Sequence, residues 1–176
     1  MPRISLRDAL RQAVADGYGD LVTRRTGQAV RQVIEDTLAT LSHEQPAAID
    51  FGTVGCLDLS CADEIVGRLL REHGDARDFV LLNVTPSHRE SLEFVLERHQ
   101  LAVVVRDPAG STDVVGSVSD PVRRVFRLVT HDGDASAGEI AARLELAPET
   151  AQAALDELHR RRLVQVARAA GAGAAA

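Results

Sequence analysis

The chain has 176 residues, of which 45% are apolar and 3% aromatic, enough for one domain and a small second unit around an aliphatic, alanine-rich core. Its net charge of −6 gives no bulk attraction to nucleic acid or anionic lipid, and all 20 basic residues are Arg. Cys56 and Cys61 fall in one short stretch with no second pair, which argues against a disulfide framework and a zinc site. With no signal peptide at the start and no apolar run near ~18 residues, a cytoplasmic protein without membrane contact is expected.

In chain order, Ile4 to Ala15 spaces its apolar residues as a short helix opening at Ser5. Asp16-Gly17-Tyr18-Gly19 breaks it. Asp20 to Thr23 is a candidate first strand. Thr26 to Leu41 is an amphipathic helix with Val30, Val33, Ile34, Thr37 and Leu38 on one stripe. Ser42 to Pro46 is a loop. Ala47 to Phe51 reads as a buried strand ending in an acid and a turn, Gly52 to Gly55. Cys56 to Leu59 is a short strand or an extended link. A helix then opens at Ser60, with Asp63 at capping-box spacing and Ala62, Ile65, Val66, Leu69 and Leu70 on its apolar side.

Phe79 to Val84 is apolar on both faces, as in a central strand covered by helices. Pro86 to His99 is a helix with Pro in its first turn and Leu92, Val95 and Leu96 inward. Leu101 to Val105 is a strand, and Thr112 to Val118 pairs back on it across the Asp107–Ser111 turn. Strand–helix–strand–helix–strand over residues 47–105 predicts an α/β fold with a partly parallel sheet. From Asp120 a second unit begins. Val122 to His131 is a helix, followed by the Asp132-Gly133-Asp134 turn. Ser136 caps a helix to Leu144 with Glu139 completing a capping box, and Pro148 opens a third to Arg161. Leu163 to Val166 is a candidate strand. Ala169 to Ala176 is an Ala/Gly tail expected to be disordered.

Ile49-Asp50-Phe51, Val54, Leu57-Asp58-Leu59-Ser60 and Ala62-Asp63-Glu64 together resemble the STAS family, and more closely its STAS-like bacterial branch. The resemblance covers about residues 21–105. It implies a mixed sheet flanked by helices. In anti-sigma factor antagonists of that family a serine two positions after an aspartate is phosphorylated by a partner kinase, and Asp58 and Ser60 have that spacing. Cys61 stands where the family has Gly, and Leu59 where it has Ser. The implied partner is a GHKL-type ATP-binding kinase or an anti-sigma factor. Glu139-Ile-Ala-Ala-Arg-Leu144, Thr150, Leu155-Asp-Glu-Leu158 and Arg162-Leu163-Val164 resemble the winged helix-turn-helix family over about residues 121–167. The expected organisation is a STAS-like α/β domain at 1–119, a winged-helix-like domain at 120–168 and a tail at 169–176.

Ser60 has two readings: an N-cap worth about 1 kcal/mol over alanine, or a phosphorylation switch. Asp58, Asp63 and Glu64 surround it in sequence. Each unit charge pair at ~6 Å would cost a phosphate up to ~3 kcal/mol at an effective dielectric of ~20, so a phosphate is expected to act by spoiling an acidic docking surface. Asp58, Ser60, Asp63 and Glu64 are the candidate docking residues. As a catalytic acid cluster they lack a matching base, nucleophile or phosphate loop, so the chain reads as non-enzymatic and without a cofactor. Asp50 and Asn83 end parallel strands, where α/β sheets place sites, though residues there also form turns. His43, His73, His88, His99, His131 and His159 lack ligand spacing and read as surface residues. A DNA-binding alternative rests on Thr150, Gln152, Arg160 and Arg161. Against it, residues from Pro121 onward carry 8 Arg and 7 acids, and the candidate reading helix opens on Glu149 without a cation. Protein docking or homodimerisation is the other expectation for that unit. The leading expectation is a partner-switching regulator that docks through the Ser60 helix; the alternative is a winged-helix transcription regulator.

Overall fold

Alternate residues of the central strands serve two different cores, and this sets the architecture. The structure, a computed structural model, describes residues 1–14, 19–42, 45–133 and 135–172, with the side chains of 169–172 left aside. Five strands lie in chain order: β1 (Arg3–Ser5), β2 (Ala47–Asp50), β3 (Phe79–Leu82), β4 (Ala102–Arg106) and β5 (Thr112–Gly116). β1 to β4 are parallel, and β5 returns antiparallel on β4. The expected α/β class and mixed sheet are therefore present.

Register places Ile4, Ile49, Leu81 and Val105 in one cross-strand row, and Ala48, Val80, Val104 and Val114 in another. The first row packs under α1 (Leu6–Ala13), α2 (Arg24–Ala39), the helical run after Asp58 and α5 (Pro86–Arg98). The second packs under α6 (Asp120–Asp132), α7 (Ala137–Leu144), α8 (Pro148–Arg160) and α9 (Leu163–Ala172). Helices on both faces are the reason these strands read as unbroken apolar runs.

The helical run after Asp58 has three parts: α3 (Leu59–Ala62), a π-helical segment (Asp63–Arg68) and α4 (Leu69–His73). Wider π turns are rare and often mark functional positions. Gly27 lets α2 approach this run. A Cβ there would stand 3.0 Å from both Cys61 Cα and Glu64 Cβ.

Several sequence expectations are corrected. Ile4 lies in β1, and Ser5 caps α1 by accepting from Asp8 N–H at 3.2 Å. Residues 20–23 make no sheet strand; Leu21 forms one isolated bridge to Leu57. Leu163 to Val166 is helix, not strand. Leu163, Val164, Val166 and Ala167 are buried at helical spacing, because covering the Val80–Val104 face outweighs their local strand preference. Hence a winged-helix domain is not established: among the described residues no strand follows α8, and the three helices 120–160 share their core with the sheet. The Ser136–Glu139 capping box is present as expected. α9 runs into the Ala/Gly tail as far as Ala172. Residues 15–18, 43, 44, 134 and 173–176, with parts of the expected first breaker, the 42–46 loop, the 132–134 turn and the tail, lie outside the described residues.

Phe126 is fully buried in the second core, so Phe126→Ala should cost about 3–5 kcal/mol in urea denaturation. Because Val80 and Val104 belong to that core, the loss should appear in a single transition seen alike by far-UV circular dichroism and by probes on either face.

Candidate functional site

Asp58 is the N-cap of α3, in place of Ser60. Its Oδ1 accepts from Cys61 N–H at 2.7 Å and from the Ser60 hydroxyl at 2.8 Å. Its Oδ2 accepts from Thr23 N–H at 2.9 Å. Burial pushes the Asp58 carboxyl up, but these hydrogen bonds outweigh it and hold the group below the usual carboxylate range. Thr23 is the N-cap of α2 and has φ +74, a costly conformation for a β-branched residue, of order 1–3 kcal/mol. Asp58 holds its N–H, and the Cys61 thiol donates to its carbonyl at 3.0 Å. One carboxylate thus fixes the starts of two helices. Burial, followed by the nearby Asp58 charge, pushes the Cys61 thiol up to about 12, so it is an inert packing group.

Ser60 is half-buried and opens on a cavity of about 300 Å³. Arg24, Asp63, Phe94, Arg98 and His99 also line it. Leu59 and Phe94 at its rim are 47% and 56% exposed. Two large apolar side chains therefore face solvent beside the hydroxyl.

The expected acidic ring is corrected. Asp63 pairs with Arg24 at 2.9 Å and with His99 at 2.7 Å. Burial would raise its carboxyl, yet the His99 and Arg24 contacts hold it low. Glu64 does not face a partner at all: it is 0% exposed. Arg24 Nη1 lies 2.6 Å from Glu64 Oε1, with Arg31 Nε 3.6 Å and Arg68 Nε 3.4 Å from the carboxylate. The acids are answered inside the fold, while Arg24, Arg98 and His99 face the cavity. A phosphate on Ser60 would meet Arg24 and Arg98 across the cavity but also the Asp58 carboxylate against its own Oγ, so the repulsion that the linear sequence implies is reduced to that one acid.

Phe94 and Arg98 are missed by sequence reasoning. They lie on α5, about 35 residues from the motif, and an exposed Phe on an amphipathic helix is the one local signal. Asp50 and Asn83 come together: Asn83 Nδ2 donates to Asp50 Oδ1 at 2.6 Å, and Arg3 Nε to Oδ2 at 2.8 Å. Gly52 N–H also donates to Asp50, so the pair closes the turn after β2. Glu35, Glu72 and His73 bring ligand atoms within 4.8 Å of one another. Arg31 Nη1 sits among them, 2.5 Å from Glu35 and 3.3 Å from Glu72, and supplies the cation that such a group requires.

Of the alternative DNA-binding residues, Gln152 is bonded to Asp156 at 2.8 Å. Arg161 is turned inward to the Ser117 carbonyl and Glu157. Thr150 is half-buried and Arg160 exposed. The exposed side of α8 also carries Glu149 and Asp156. No protein-family model matches the chain, and comparison with curated proteins and with solved structures finds no match. Among the described residues no helix is long and apolar enough to cross a membrane.

Glu64→Gln should destabilise the fold, towards the lower end of the about 3–5 kcal/mol lost when a buried pair loses one member, because Arg24 and Arg68 keep access to water. Chemical denaturation checks this. His88, expected at the surface, is fully buried, 5.5 Å centroid to centroid from Phe51. Its Nδ1 accepts from Thr85 N–H at 3.3 Å. Burial pushes its pKa below the ordinary value and outweighs the pull of the Gly55 and Val54 carbonyls, neither of which meets Nε2 in hydrogen-bond geometry. The unfolded chain therefore takes this proton first as pH falls. Stability should be complete above about pH 6.5 and decline below it. Denaturation midpoints measured between pH 7.5 and 5 should flatten in His88→Gln.

Proposed function

We propose that the chain is a non-enzymatic regulator of the partner-switching type, which docks a protein partner at the Ser60 cavity. The observation that carries this reading is the juxtaposition of a half-buried serine hydroxyl with exposed Leu59 and Phe94 and with Arg24, Arg98 and His99. Apolar anchors beside a small charged cavity are the usual composition of a protein-docking centre. The STAS-like resemblance of residues 49–64 supports the same reading. It points to a GHKL-type ATP-binding kinase or an anti-sigma factor as partner, and to Ser60 as the modified residue.

Phosphorylation would work here by occupation. A phosphate on Oγ would replace the hydrogen bond that the Ser60 hydroxyl donates to Asp58 with a like-charge contact, and would fill the cavity beside Arg24 and Arg98. These are the cations a docked partner would otherwise use. The DNA-binding alternative gains little from α8, whose exposed side sets Glu149 and Asp156 against the single cation Arg160.

The test is a pull-down from the source cells. Leu59→Ala/Phe94→Ala should lose the partner while keeping wild-type circular dichroism. Ser60→Asp should recover clearly less than wild type. Equal recovery by all three proteins would remove the docking reading. Duplex DNA titrated at two salt concentrations should show no steep salt slope.

A further inference from the structure

We infer that Asp58 and Thr23 form a strained latch, through which a phosphate on Ser60 is felt at the start of α2. The trigger rests on the partner-switching reading above; the latch itself does not. Thr23 has φ +74 and ψ 138. Glycine takes such a backbone state freely, and residues with a Cβ avoid it, β-branched ones most of all. Thr23 is held there from both sides. Its N–H donates to Asp58 Oδ2 at 2.9 Å, and its carbonyl accepts from the Cys61 thiol at 3.0 Å. Cys61 is tied to the same acid, since Asp58 Oδ1 accepts from its N–H at 2.7 Å.

The strained residue also begins α2. Its carbonyl accepts from Gly27 N–H at 3.1 Å, and its hydroxyl oxygen accepts from Thr26 N–H at 3.4 Å. On its other side the chain is fixed: Leu21 N–H donates to the Cys56 carbonyl at 2.8 Å, and Asp58 N–H to the Leu21 carbonyl at 3.0 Å. A change of φ at Thr23 must therefore be taken up by the first turn of the helix.

Ser60 Oγ donates to Asp58 Oδ1 at 2.8 Å, so one carboxylate holds the serine and Thr23 at once. Phosphorylation transfers the terminal phosphoryl group of a nucleoside triphosphate held by the partner kinase. The Oγ–P bond forms, nucleoside diphosphate leaves and the hydroxyl proton passes to solvent. The hydrogen bond to Asp58 then becomes a contact between two anions. Asp58 turns away, its hold on the Thr23 N–H is lost, and Thr23 relaxes to an ordinary negative φ. Arg24, the first residue of α2 and a wall of the cavity, moves with that turn. A modification at Ser60 thus alters the docking surface as well as occupying it.

Hydrogen exchange at the Gly27 amide reads the latch, because that N–H is bonded to the Thr23 carbonyl. Ile34, buried further along α2, serves as the reference for global opening. Asp58→Ser keeps a cap on α3, but its single, shorter-reaching oxygen cannot also bridge to Thr23. It should speed exchange at Gly27 relative to Ile34 at least about tenfold, as a local opening does. In a Thr23→Gly background φ +74 carries no strain, and the same substitution should change the ratio less than about threefold. Phosphoserine at position 60 of the otherwise unaltered chain should reproduce the larger effect. An unchanged ratio in Asp58→Ser overturns the latch. So does equal acceleration in the two backgrounds, since an ordinary lost hydrogen bond is felt alike whether or not residue 23 is strained. Wild-type exchange in the phosphoserine protein overturns the coupling to Ser60. If Asp58→Ser does not fold, the phosphoserine protein with and without Thr23→Gly makes the same comparison. No partner enters these measurements, so their failure is distinct from failure of the docking reading, which the Leu59 and Phe94 pull-down decides.

Discussion

A carboxylate with no exposure to water lies between two helices, and the helical layer beside the sheet is arranged around it. Glu64 brings its charge into the contact between α2 and the π-helical segment, where only cations make burial tolerable. Arg24 and Arg31 answer from α2, and Arg68 from one turn further along its own helix. Gly27 completes the arrangement by removing the side chain that would hold the backbones apart. Arg24, drawn in by Glu64 and Asp63, becomes one wall of the Ser60 cavity. The interaction that closes the helical layer therefore also sets the electrostatic character of the candidate docking site.

Asp58 does the corresponding work at the helix starts. Its three hydrogen bonds cap α3, hold Thr23 at positive φ and receive the Ser60 proton. Strained backbone persists where its surroundings over-determine it, and such places recur at functional sites. Here the strained Thr23 and the serine both bond to the same carboxylate, and the π-helical segment begins three residues after Ser60.

The sheet links this region to the rest of the chain. One row of residues packs beneath the Ser60 layer and the next beneath α6 to α9, so the β-strands belong to both cores. The outer edge of β5 is closed by Arg123, which donates to the Val114 and Gly116 carbonyls, and by Arg89 on Val114. Closing an edge with cationic side chains leaves little backbone for another chain to pair with. The Ser60 cavity lies among the helices of the first of these two faces.

Much of the secondary structure was legible because it is local. The 3.6-residue stripe of α2, the proline-led starts of α5 and α8, the Ser136–Glu139 capping box and the two-faced apolar run of β3 each follow from short-range chemistry. The contact of Asp58 with Ser60 is likewise local, although it is Asp58 and not Ser60 that caps the helix. Charge could not be read the same way. Asp63 and Glu64 look like a solvated acidic face until α2 supplies Arg24 from about 40 residues away and folding hides one of them. The placing of Phe94 and Arg98 beside Ser60 is likewise a juxtaposition of distant segments. Leu163 to Val166 shows the same limit: alternation in the chain favours a strand, but an uncovered sheet face demands a helix. Sequence determined which segments have a preferred shape; tertiary packing decided which charges meet, because electrostatic and burial energies depend on distances that the linear order does not contain.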